Sequence, residues 1–181
     1  MVDDEGANGA RPIVRRLGAF EERDDWSAAG WCRVERALEV VGTRSAMVLV
    51  RELFYGGTRF DDLARRAGIS EAVAARRLRQ LLDDGIVERV PYREPGQRTR
   101  EGYRLTDRGR ALFPIVVALT RWGDTLKDDH RTGLEFVHDS CGAPLDVEVR
   151  CADGHVVDLA ESAVRFTDEE FALRYKAAHR P

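Results

Sequence analysis

The sequence predicts a mainly α chain with a small β component: a winged helix-turn-helix core, a long helix after it, and a small β-rich tail. Three observations predict this. Between Phe60 and Asp84, two short stretches of helical period flank the turn Gly68-Ile69-Ser70. After Gly85, two short alternating runs, Ile86–Val90 and Tyr103–Leu105, flank a polar loop rich in arginine. From Leu112 to Trp122, apolar residues recur at spacings of three and four, the period of a helix face.

The elements follow in order. Residues 1–25 are charged, glycine-containing and aperiodic, and read as a mobile N-terminal arm. Arg11, Arg15 and Arg16 in it could touch DNA or a partner, although a solvated tail is the blander reading. A first helix is expected over about Val34–Val41, where Val34, Ala37, Leu38 and Val41 share a face and Gly42 stops it. A second helix runs from about Arg44 to Tyr55, largely apolar and therefore buried, and Gly56-Gly57 ends it. The third helix begins at Phe60 and stops at Gly68, which suits a left-handed cap. Ser70 suits the N-cap of the fourth, Glu71–Asp84, and Gly85 closes it. Two short helices joined by a tight glycine-containing turn form a helix-turn-helix, and the hairpin behind it, with its basic tip, is a wing.

Thr106 is a good N-cap for one long helix after the wing. Its stripe of Leu112, Ile115, Val116, Leu119 and Trp122 lies outside a winged unit that already has three helices, so it needs another surface to cover it. The expected cover is the same helix, or the first helix, of a second subunit in a homodimer, with packing on its own domain as the alternative. From Leu134 the pattern changes to short β-like runs, Phe136-Val137, Leu145–Val149 and Val156-Val157, separated by Gly142, Pro144 and Gly154. Thr167-Asp168-Glu169-Glu170 reads as a capping box that opens a last helix to about Ala178. The expected divisions are an arm over 1–25, a DNA-binding and dimerisation domain over 26–130, and an appendage over 131–181.

The totals agree with a globular chain. A length of 181 residues suffices for a real core. No apolar run approaches the roughly 18 residues of a membrane span, and Met1-Val2-Asp3-Asp4-Glu5 does not open like a signal peptide. Three cysteines, Cys32, Cys141 and Cys151, do not make a disulfide framework, so a cytoplasmic setting is the default. The net charge of −3 is unevenly spread. Residues 44–110 hold 15 Lys+Arg against 10 Asp+Glu, a net of +5, which leaves −8 for the rest. A basic island in an acidic chain points to a nucleic-acid partner, here double-stranded DNA.

The fourth helix carries the expected readout. Ala74, Leu78 and Leu81 fall on one face, and at 100° per residue Ala72, Arg76 and Arg79 fall opposite. A major groove admits such a helix, and arginine grips guanine O6 and N7 with two hydrogen bonds. Arg76 is the first candidate for base contact and Arg79 the second. Ala72 and Ala75 are small enough for close approach, and Ser70 with the free N–H groups of the helix start suits a phosphate. Arg77 lies nearer the core edge, where a salt bridge to an acidic neighbour is expected at least as much as a contact with DNA. Arg93, Arg98 and Arg100 on the wing suit phosphates or the minor groove. Arg44 and Arg59, each beside a helix start, are further phosphate candidates. A merely solvated arginine face is the alternative, and the wing behind the helix argues against it.

Two other clusters draw attention. His138 with Cys141, and Cys151 with His155, have the ligand types of a zinc site, but neither pair is a CxxC. No cofactor or metal is expected, with zinc on these four residues as the minor alternative. No GxSxG, HExxH or phosphate loop is present, so no enzyme is expected. A protein-interaction module whose winged helix has lost DNA is the remaining alternative.

Trp31-Cys32-Arg33-Val34-Glu35-Arg36-Ala37-Leu38, Leu49-Val50-Arg51-Glu52-Leu53, Phe60-Asp61-Asp62-Leu63, Gly85-Ile86-Val87-Glu88-Arg89 and Tyr103-Arg104-Leu105-Thr106-Asp107-Arg108-Gly109 follow one another in a fixed order. Over Trp26 to Asp124 the chain resembles the HxlR-type winged-helix regulators. The resemblance implies a homodimeric bacterial transcription regulator, a repressor on a pseudo-palindromic operator. Arg33 stands where the family usually has proline, and Gly42-Thr43-Arg44-Ser45 where it usually reads Gly-Gly-Lys-Trp. Arg44 keeps the charge, and Ser45 removes an aromatic. Cys32 occupies the position at which some such regulators carry a thiol that senses oxidants or electrophiles, which implies a small-molecule or electrophile effector. Its alternative is a small buried hydrophobe. The tail resembles the degenerate zinc-ribbon tails of some actinobacterial relatives.

Overall fold

A computed structural model describes residues 13–21, 30–93, 98–126 and 133–178. In chain order it contains strand β1 (Arg15–Arg16) and helices α1 (Arg33–Val41), α2 (Arg44–Phe54), α3 (Phe60–Arg66) and α4 (Glu71–Asp83). Strands β2 (Val87–Tyr92) and β3 (Arg100–Leu105) follow, then helices α5 (Asp107–Arg110) and α6 (Phe113–Asp124). Strand β4 (Ala163–Val164) and helix α7 (Glu169–Ala178) complete it. Arg11 and the wing residues 94–97 lie outside the described residues.

Local chemistry sets the helix-turn-helix. Thr43 caps α2 by accepting a hydrogen bond from the Ala46 N–H at 3.2 Å. Gly68 ends α3 at φ +62°, a conformation that would strain a residue with a Cβ. Ser70 then caps α4, its hydroxyl accepting from the Val73 N–H. Leu49 and Val50 of α2, Leu63 of α3, and Leu78 and Leu81 of α4 fill the centre of the core. Ile86, Val87, Leu105 and Val116 close it. The hairpin β2–β3 is antiparallel, with Val87 opposite Leu105 and Tyr92 opposite Arg100. Both strands are longer than the alternation predicts. Pro91 sits within β2, and a two-stranded ribbon, which has only edges, tolerates a missing donor.

The long helix expected after the wing is two helices. α5 stops at Arg110 and α6 starts at Phe113. Pro114, in the first turn of α6, has no N–H to donate, and its ring would clash with the Arg110 carbonyl if the helix ran through. Thr106 caps α5 as expected, accepting from the Gly109 N–H at 3.1 Å while donating to the Gly85 carbonyl at 2.7 Å. Gly109 is needed at that contact, because a Cβ there would stand 2.2 Å from the Ile86 carbonyl oxygen.

The chain also divides differently from the expected arm, domain and appendage. It forms two compact units, 29–147 and 1–28 with 148–181. In the first, Phe136 lies 5.2 Å from Phe113 and 5.6 Å from Tyr55, ring to ring, which ties the stretch after residue 133 to the winged core. In the second, β1 pairs in parallel with β4, and Phe20 meets Phe166 edge-on at 5.3 Å. The described part of the expected arm, residues 13–21, is therefore joined to the tail. The expected β runs of the tail shrink to single bridges, Val137 with Pro144 and Arg150 with Val156. Val147, Val149 and Val156 stay exposed there, and such short pairings hold no wider sheet. α7 is capped by Asp168, one residue later than the Thr167-led box, its carboxylate accepting from the Phe171 N–H at 2.9 Å.

Candidate nucleic-acid interface

The core fixes which face of α4 meets solvent. Ala74, Leu78 and Leu81 are buried, and Ser70, Ala72, Arg76 and Arg79 are exposed on the side predicted for them. Ala75 is half-buried at the edge of that face. The polar face is thus an N-capped, small-residue and arginine surface of the kind that enters a major groove.

Arg77 is a different case. Its Nε donates to Ser45 Oγ at 3.1 Å and its Nη1 to Gln80 Oε1 at 2.6 Å. Gln80 in turn donates to the Glu39 carbonyl at 3.2 Å, so Arg77 ties α4 to α2 and Gln80 ties it to α1. The expected acidic partner is replaced by neutral ones. Ser45 and Gln80 are positioning residues that the sequence reading missed. The available signal was the Arg77–Gln80 spacing of three, one helix turn.

The wing separates its arginines into two groups. Arg104 pairs with Glu88 across the strands at 2.7 Å, and Arg89 with Glu101 at 3.2 Å. Arg93, Arg98 and Arg100, the predicted phosphate contacts, are exposed around the tip. Arg59 is half-buried, with its guanidinium over the Tyr92 ring at 5.4 Å, and so braces the wing. Arg44 is exposed in the first turn of α2. On α3, the Arg65 guanidinium donates to Asp62 at 2.6 Å and holds that carboxyl below its ordinary pKa.

The predicted stripe on α6 splits. Val116 is buried in the winged core beside Val117, which the stripe did not include, and Leu112 is half-buried. Ile115, Leu119 and Trp122 are exposed, and with Val147 they line an apolar groove of about 370 Å³. α1 is almost wholly exposed, including Val34 and Leu38 at 66% and 57%. Cys32 is half-buried at the N-cap of α1, and its side chain makes no capping bond.

His138 Nδ1 lies 3.2 Å from Cys141 Sγ, and His155 Nδ1 lies 3.5 Å from Cys151 Sγ. The pairs belong to different compact units, and no group of three or more such ligands gathers among the described residues. No helix among them is long and apolar enough to cross a membrane.

A capped recognition helix with outward arginines, followed at once by a basic hairpin, defines a winged helix-turn-helix DNA-binding transcriptional regulator. The family model described as HxlR-like helix-turn-helix matches residues 40–131, and the chain belongs to that family. It is 40% identical over 119 residues to Rv3095 of Mycobacterium tuberculosis, an uncharacterized HTH-type transcriptional regulator, covering 65% of this chain and 74% of that one. It is 30% identical over 115 residues to YdeP of Bacillus subtilis, another uncharacterized HTH-type transcriptional regulator, covering 63% and 86%. Among solved structures it is similar to PA1607, described as a candidate transcription factor, with 34% identity, a TM-score of 0.67, and 76% of this chain and 96% of that one covered. It is also similar to PA1374 of Pseudomonas aeruginosa, at 28% identity and a TM-score of 0.55, covering 79% and 99%.

Proposed function

We propose that this regulator works as a homodimeric, non-catalytic repressor in the cytoplasm, reading a pseudo-palindromic operator with one α4 per half-site. The observation that carries the reading is the uncovered apolar surface on α1 and α6, with Val34, Leu38, Ile115, Leu119 and Trp122 all facing solvent. Such a surface costs free energy in water, and a second copy presenting the same helices removes it from water self-complementarily. A two-fold pair of recognition helices reads two half-sites, and a dimer seated on a promoter obstructs transcription without further contacts.

The test is sedimentation together with operator binding. Wild type should sediment as a dimer at micromolar concentration, and Ile115→Asp should give a folded monomer that loses tight operator binding. A wild-type monomer, or a dimer untouched by Ile115→Asp, overturns the assembly. Repression is read separately, from a promoter–reporter fusion with and without the regulator. A rise in transcription when the regulator is supplied reverses the sign.

Cys32 supports a second reading, in which an electrophile or oxidant acts as effector. The thiol stands at the start of α1, so a group added to it alters the proposed subunit contact. Loss of operator binding after mild peroxide in wild type but not in Cys32→Ser is the expected result. Equal sensitivity of the two proteins removes it.

A further inference from the structure

Behind α1 the winged unit contains a cavity of about 310 Å³, apart from the α4 face and the wing. Its walls are apolar: Val40 and Val41 from α1, Ile86 from the junction between α4 and the wing, and Leu112 before α6. Ala37 of α1 and Ile115 of α6 add to these walls, and three guanidinium-bearing side chains, Arg33, Arg36 and Arg108, complete the lining. That volume is at the small end of ligand-sized pockets. Apolar walls with three cationic side chains and no acidic one fit a single kind of occupant.

We propose that this cavity binds a small amphipathic anion, an aryl or alkyl carboxylate, with its hydrocarbon part against Val40, Ile86 and Leu112 and its carboxylate on Arg36 and Arg108. Arginine suits the anionic end because its planar fork offers two parallel hydrogen bonds to a carboxylate. The site deepens the regulator reading by naming a ligand class, and it rests on that reading only for its consequence on DNA.

The consequence follows from Arg108. Its Nη1 donates to the Asp84 carbonyl at 3.0 Å, and Asp84 is the C-cap residue of α4. In the same residue, Oδ2 is buried and accepts no hydrogen bond from the protein. A buried acceptor without a partner is costly, so this end of the recognition helix is held below its full hydrogen-bonding capacity. A carboxylate that draws Arg108 toward the cavity competes with the Asp84 carbonyl for its hydrogen bond. The ligand thereby reaches the setting of α4 through one side chain, and it shifts operator affinity as far as it binds the two settings differently.

The experiment titrates the full-length protein with 4-phenylbutyrate and with its neutral counterpart 4-phenylbutyramide, by calorimetry and by amide NMR shifts. The carboxylate should bind saturably, about tenfold or more tighter than the amide, as expected for hydrogen bonds to a charged group. Shifts should centre on Val40, Ile86 and Leu112. Arg36→Gln should lose about the same factor and Arg36→Glu should abolish binding, while both keep the fold, because Arg36 is exposed. Equal affinity for acid and amide, an unaffected Arg36→Gln, shifts centred elsewhere, or carboxylate binding that vanishes in the dimer because the second copy fills the cavity overturns the site. Unchanged operator affinity at saturating carboxylate overturns the coupling. Failure of the ligand-free protein to bind any operator would instead count against the regulator reading, and the titration would still decide the cavity.

Discussion

The α4 face and the α1–α6 face are both exposed, but for opposite reasons. Beneath α4 the packing is finished: Ala74, Leu78 and Leu81 are buried, and what remains outside is polar or small. On α1 and α6 large apolar side chains also face outward, Leu38 and Trp122 among them. A polar face on a finished core is stable in water and free to read a groove. An apolar face is stable only when something covers it. Exposure alone therefore does not mark a function, and the chemistry of the exposed atoms does.

The largest expected effect comes from breaking the finished side. Leu78→Ala should lower unfolding stability by about 2–5 kcal/mol in chemical denaturation, because a fully buried leucine leaves a cavity. Leu119→Ala should change the unfolding of dilute monomer by no more than about 0.5 kcal/mol, as substitutions on open surface do. The same substitution should raise the dimer dissociation constant measured by sedimentation. If both variants lose similar stability as monomers, α6 is covered within its own chain and the contrast fails.

Most of the finished side was legible in the sequence because its signals are local. Ser70 and Thr106 cap helices where the pattern places caps, and Gly68 and Gly85 stop them. The break at Pro114 was also written there, but an apolar stripe running across it carried the stronger periodic signal. The pairing of Arg15–Arg16 with Ala163–Val164 had no local signal at all, since two-residue strands have no alternation to detect. Helical spacing placed Arg76, Arg77 and Arg79 on the right faces. It did not show that Ser45 and Gln80 engage Arg77, that Tyr92 holds Arg59, or that Glu88 and Glu101 engage Arg104 and Arg89. Those partners come from other elements or from rotamers, which spacing does not fix.

A middle-sized effect sharpens the polar side. Arg76→Ala should weaken specific operator binding by roughly 1–3 kcal/mol and blur preference at one position of each half-site. Arg98→Ala, at the wing, should weaken binding to every sequence alike and lower the salt slope by about one. Selection of bound fragments before and after each substitution separates the two. Unchanged operator choice with Arg76→Ala would move the readout to Arg79 or off α4.

The smallest expected effect concerns the wing, where the two kinds of exposed arginine stand side by side. Arg104 is paired with Glu88 directly across the strands, whereas Arg98 and Arg100 extend around the tip. Both members of the cross-strand pair are well solvated, so the attraction is screened and holding two long side chains together opposes it. A double-mutant cycle with Glu88→Gln and Arg104→Gln should therefore give a coupling of about 0.2–1 kcal/mol in unfolding stability. If the pair serves only the hairpin, Arg104→Gln should leave the salt slope of DNA binding as it is. Glu88→Gln should likewise not tighten it, because Arg104 stands opposite Glu88 near the base of the hairpin, far along the strand from the tip. A salt slope that falls by about one in Arg104→Gln would show that this arginine reaches a phosphate in the complex. The ion pair would then be a resting arrangement that DNA replaces, and the wing's charge would extend from the tip down the strands.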